Sequence, residues 1–152
     1  MKKTILSALL AASFAAPAIA GDNATLAVSA TVSGTCKFTT GTFNMNFGTL
    51  DPSAVANQTQ TTALTYKCTK GQAATSFSFD LDATSPASVN ITNGTDNIPV
   101  SLSWAVPATA GSGFGVGSTA ISMNVSGDIL GVDYANVSAG VYTKSVSVVV
   151  AP

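Results

Sequence analysis

The side chains in this chain that could do chemistry come from a narrow set. None of its 152 residues is His, Arg or Glu; the six cations are all Lys and the seven anions all Asp. Without imidazole there is no Ser-His-Asp or Cys-His arrangement, no His general base and no ordinary zinc or copper site. Ser-Lys or Asp chemistry remains, but Lys67, Lys70 and Lys144 stand in no motif recognisable for it. Asp80 and Asp82 lie two apart and so share one face of an extended segment, opposite Phe77, Phe79 and Leu81. A carboxylate pair or a calcium site is the functional reading; with no Glu partner, a solvated strand face is the better one. Gly111 to Gly117 has no Gly-Lys-Ser/Thr ending and no helix after it, so it reads as a flexible inter-strand loop and not a phosphate cradle. The residues therefore assign no catalytic site, no metal and no cofactor, and point away from an enzyme.

What must position these residues is a surface with little charge. Charged residues are 9% of the chain and hydrophobic residues 46%, against roughly a quarter charged in an ordinary soluble domain, while Ser and Thr number 38. Met1 to Ala20 reads as a secretory signal peptide, with Lys2-Lys3 as the positive start, Ile5 to Ala16 as the apolar stretch and Ala18-Ile19-Ala20 as the cleavage site. The stretch is too short to span roughly 30 Å of hydrocarbon, and no later segment resembles a membrane helix, so no membrane span is expected in the mature chain. Beyond residue 20, four Lys face seven Asp, a net charge of -3. No basic patch for nucleic acid can be assembled from that. Export makes Cys36 and Cys68 candidates for a single disulfide; the alternative, a reactive thiol pair, lacks a C-x-x-C spacing and a His or Arg to lower a thiol pKa.

Apolar residues recur at every second position, which is the period of a strand with one buried face. Ala24, Leu26, Val28, Ala30 and Val32 form one such set. Others are Phe43, Met45, Phe47; Leu64, Tyr66, Cys68; Phe77, Phe79, Leu81; Ile98, Val100, Leu102, Trp104, Val106; Ile121, Met123, Val125; and Tyr142 through Val146, Val148 and Val150. Turn-rich stretches such as Asp51-Pro52-Ser53, Lys70-Gly71-Gln72 and Asn93-Gly94-Thr95 separate them, and no segment after the leader has a helical period. About seven short strands in about 130 residues predict an all-β sandwich of the immunoglobulin type, with a barrel as the weaker option. Trp104 alternates with Leu102 and Val106 and so belongs to the core, not to a sugar-stacking platform. Six Asn-x-Ser/Thr sequons, at Asn23, Asn57, Asn90, Asn93, Asn124 and Asn136, carry little weight in so hydroxyl-rich a chain. On this pattern alone the 22–32 segment is open to two readings: the first strand of its own sandwich, or a strand supplied to a neighbouring copy.

Three stretches carry a family resemblance: Cys36-Lys37-Phe38; Phe47-Gly48-Thr49-Leu50-Asp51-Pro52; and Thr61 to Thr69, with Tyr66-Lys67-Cys68 at its centre. The ending Ala139-Gly140-Val141-Tyr142-Thr143, followed by Val146, Val148 and Val150, belongs with them. Together they resemble the spore coat protein U domain family, subunits of archaic chaperone-usher pili. In the middle, Ile98 to Trp104 stands where that family has a Tyr-rich strand, and Lys144 where an acidic residue is usual. Beyond the leader at 1–20, the resemblance implies an N-terminal donor-strand extension at 21–35 and an incomplete immunoglobulin-like domain at 36–152. It also implies a Cys36–Cys68 disulfide and a donor strand made of Ala24, Leu26, Val28, Ala30 and Val32. The implied partners are other pilus subunits, a periplasmic chaperone and an outer-membrane usher. The implied role is a surface fibre for adhesion or biofilm; the alternative is a self-contained secreted β-sandwich that binds a carbohydrate or host protein.

Overall fold

The computed structural model describes residues 22–152, so the expected leader at 1–20 lies outside the described residues. Residues 22–31 belong to a unit separate from Val32–Pro152. They carry no regular element and are exposed at every position, with Leu26 and Val28 each 85% exposed.

From Val32 onward the chain is an all-β sandwich. Strands β1 (Cys36–Phe38), β2 (Gln58–Cys68), β3 (Ser76–Phe79), β4 (Ala87–Thr92), β5 (Asn97–Trp104), β6 (Ile121–Ile129) and β7 (Val148–Ala151) follow in order, with one helical turn, α1 (Gly131–Tyr134), after β6. The larger sheet runs β1-β2-β6-β5-β4 and the smaller pairs β3 with β7; every ladder is antiparallel. Successive side chains alternate across a strand, so each inner face is a set of every-second residues. Leu64, Tyr66 and Cys68 of β2, Ile121, Met123, Val125 and Ile129 of β6, and Ile98, Val100 and Leu102 of β5 are all buried. From the small sheet Phe77 and Phe79 close over them, with Phe77 edge-on to Tyr66 at 5.2 Å. The Tyr66 hydroxyl is buried with no hydrogen-bond partner among the described residues, and burial pushes its pKa up.

Cys36 and Cys68 face each other in the β1–β2 register and are joined by a disulfide across 32 residues of sequence. A crosslink of that span removes unfolded-chain entropy equivalent to about 3–4 kcal/mol on the loop-closure account. It holds the three-residue β1 against the end of the much longer β2.

Four expectations need correction. The Phe43–Phe47 segment and the first half of the Tyr142–Val150 segment form no ladder; only Val148–Ala151 pairs, with β3. β3 ends at Phe79, because Asp80 and Leu81 turn with φ of 49° and 73°. Leu81 is thereby 89% exposed, and Asp80 and Asp82 share no strand face. A strand not anticipated, β4, uses Ala87, Val89 and Ile91 on its inner side. The glycine run after Gly111 is tied down: Gly111 is buried, exchanges backbone hydrogen bonds with Gly71 and Gln72, and Gly113 N–H donates to the Cys68 carbonyl at 3.1 Å. A Cβ at Gly111 would run into the backbone of Cys68, which is why glycine is needed there.

Candidate functional site

The absent ladders leave a groove. One wall is the stretch Phe38 to Phe47 and the other Lys144 to Val148; the floor is Leu64, Val89, Val100, Leu102 and Val125. Its volume is about 830 Å³. That is large enough for several side chains and lined chiefly by apolar residues, whereas protein interiors are ordinarily close-packed.

The first wall shows how local sequence makes an unpaired edge. Phe43, Met45 and Phe47 are half-buried and turn inward onto the core, while Asn44 and Asn46 are exposed. The period-two pattern is satisfied by burial alone. Thr62 Oγ1 donates to the Asn44 carbonyl at 3.0 Å, and the Asn46 side chain accepts from Gly48 N–H at 2.9 Å where the chain turns through positive φ. Gly127 of β6 makes the approach possible, because a Cβ there would collide with the Met45 sulfur and press on the Phe47 ring. Among the described residues no backbone-to-backbone hydrogen bond is made by residues 43–47.

The opposite wall is anchored from the β3 side only. Asp80 N–H donates to the Ser147 carbonyl at 2.9 Å, Ser147 N–H donates to the Asp80 carboxylate at 2.7 Å, and Lys144 Nζ lies 3.3 Å from the same carboxylate. The Ser147 N–H holds the Asp80 carboxyl below its ordinary range; partial burial opposes this, and Lys144 adds to it. Lys144 thus has an acidic partner three-dimensionally, though none adjoins it in sequence. Among the described residues 144–146 make no backbone-to-backbone hydrogen bond. Val146 and Val148 are half-buried, packed on the core and facing the groove. Two facing edges with unpaired N–H and C=O groups, over an apolar floor, are a template for an added strand.

The residues expected from sequence fall in three places. Cys36 and Cys68 form the disulfide at the end of β1 and β2. Val32 is 81% exposed at the start of the sandwich unit, and the chain after it is pinned beside Thr69, whose N–H donates to the Thr35 carbonyl at 2.9 Å. Ala24, Leu26, Val28 and Ala30 lie in the separate unit, exposed. The sequence reading named Leu64, Val100, Leu102 and Val125 as buried-face residues but missed Val89 of the groove floor and the role of Gly127. Its signal was an isolated glycine inside an otherwise alternating strand, which marks close approach of another segment. No helix among the described residues is long and apolar enough to cross a membrane.

Compared with known proteins, residues 36–152 match the family described as the fimbrial adhesin MrpH C-terminal domain. No curated protein matches the chain.

Proposed function

We propose, from the premise that this chain belongs to the fimbrial adhesin MrpH C-terminal domain family, that it is a structural subunit of a chaperone-usher pilus that polymerises by donor-strand exchange. Membership gives the chain a fimbrial, adhesive role at the cell surface and a structural character; the assembly route is our reading. In it the sandwich is an immunoglobulin-type fold short of one strand. A periplasmic chaperone first fills the groove, and at an outer-membrane usher residues 22–32 of the next copy take the chaperone's place.

The observation that carries this reading is the groove between two extended, apolar-faced, unpaired edges. Its complement is a segment that is apolar at every second residue and exposed throughout. Leu26, Val28, Ala30 and Val32 would seat side chains on Leu64, Val100, Leu102 and Val125 while their backbone bonded to both walls. Burial of a Leu or Val is worth roughly 1.5–3 kcal/mol each, before the cost of ordering the segment. Ala24 and Ala30 contribute less. The spore coat protein U resemblance leads to the same assembly scheme.

The experiment is to shear surface protein from cells that make the chain and run it unheated on a denaturing gel. A ladder of multiples that collapses to one band on boiling is the expected result. A single monomer band without boiling would overturn the reading in favour of a self-contained secreted binding domain.

A further inference from the structure

The charges of the sandwich are sorted by end. Lys37 and Lys67 are directly opposed in the β1–β2 register, and Lys70 follows two residues after β2 ends. At the other end, Asp128 is level with Thr59, eight residues along β2 from Lys67, or roughly 26 Å at about 3.3 Å per residue. Asp133 lies in α1 beyond β6, and Asp96 in the turn just before β5. Asp51 opens the 51–57 loop that packs there, where Asn57 accepts from Gly131 N–H and the Tyr134 hydroxyl donates to Ala56. Of the remaining charges in this unit, Lys144 and Asp80 neutralise each other, and Asp82 follows β3, whose Phe79 packs at a tilt against Trp104, level with the middle of β2. No carboxylate lies within salt-bridge distance of Lys37, Lys67 or Lys70 among the described residues; Lys67 Nζ donates to the Ser118 hydroxyl instead.

Like charges directly opposite on a ladder are destabilising, and a domain with this little charge has no need to concentrate it. The repulsion becomes attraction only when one end meets the other. We infer that the Lys37–Lys67–Lys70 end of one copy docks on the Asp96–Asp128–Asp133 end of the next, as a charge-complementary, head-to-tail interface outside the groove. This rests on the strand-exchange reading above and adds a direction to it. The 33–35 stretch leaves the sandwich at the basic end, tied to Thr69. The last segment runs from Thr143, bridged to Thr92 at the acidic end, through β7 to Ala151 at the basic end. A segment entering the groove antiparallel to it, as every ladder in the fold is antiparallel, would bring its Val32 to the acidic end. The basic end of the donor copy then sits on the acidic end of the acceptor. Parallel entry would set Lys against Lys, so the charges select the antiparallel direction and a polar, open-ended contact.

The test uses the full chain in cells that assemble it, read as the fraction of protein in higher bands of the unheated gel. Lys37→Glu with Lys67→Glu, or Asp128→Lys with Asp133→Lys, should each lower that fraction about tenfold, since attraction becomes repulsion at two sites. The chain carrying all four changes should return to within about twofold of the unaltered protein. As a readout without variants, zero-length carbodiimide cross-linking of unaltered fibres should join these Lys to these Asp between copies. An unaltered ladder in both double variants, or fibres without such cross-links, overturns the charged interface and leaves strand exchange standing. Absence of any ladder from the unaltered chain removes strand exchange and this inference with it.

Discussion

The two sheets of this sandwich are built from the same kind of sequence and end up in different states. In the larger sheet β2, β6, β5 and β4 bury alternate residues and also pair their backbones along their length. On the other side, 43–47 and 144–148 bury alternate residues just as regularly, yet only β3 and β7 have ladder partners. Side-chain burial and backbone pairing are thus separable: the first needs only an apolar surface beneath the segment, the second needs a strand alongside it. Where the neighbour is missing, the fold holds its walls by single ties such as Thr62 to Asn44 and Asp80 to Ser147.

That contrast can be broken from its strongest point downward. Val28→Asp puts an unpaired charge into whatever apolar groove the segment enters, so the boil-sensitive ladder should vanish while the sandwich itself unfolds at the same temperature as before. Within the larger sheet, Ile129→Ala should lower stability by about 2–4 kcal/mol, measured by denaturant unfolding, because Ile129 is fully buried. Gly131→Ala should cost a similar amount, about 3 kcal/mol, since its Cβ would meet the Val55 backbone and not a movable side chain. On the unpaired side, Met45→Ala should cost about 1 kcal/mol or less in the monomer, because Met45 is half-exposed, and more once the groove is filled.

The smallest effects belong to the Asp80 tie. Its carboxyl titrates lower in the folded chain than in the unfolded one, so its contribution is complete above the unfolded value of about 4 and is lost as pH falls through the lower folded value. Acidification from pH 5 to pH 3 should therefore loosen the 144–148 wall before the larger sheet, seen as a fall in the protection of the Ser147 amide relative to its intrinsic exchange rate at each pH. Lys144→Ala, which removes an exposed partner, should change stability by no more than about 0.5 kcal/mol.

These two sides also explain what the sequence could reveal. Period two found the inner faces of β2, β5 and β6 because there burial and pairing coincide. It could not distinguish Phe43–Phe47 from a laddered strand, since an unpaired edge over a core has the same pattern. β4 was hidden because its inner residues, Ala87, Val89 and Ile91, are small or few and lie next to Ser85-Pro86. Leu81 was misplaced because the turn at Asp80 and Leu81 uses positive φ without a glycine to announce it. The groove was legible only through its would-be occupant: the alternating 22–32 segment was evident, while the floor that could receive it is assembled from four strands distant in sequence. The end-to-end charge sorting was invisible for the same reason, because Lys37 and Lys67 become neighbours only through the ladder.

The most direct measurement is hydrogen exchange on the monomeric chain, with and without a peptide of residues 22–35, resolved along the sequence. Alone, 43–47 and 144–146 should exchange far faster than β2 and β6. The peptide should slow both walls together, and the same peptide with Val28→Asp should not. Walls that are protected without any peptide, or that ignore the unaltered one, would contradict a groove that completes itself with a strand from another copy.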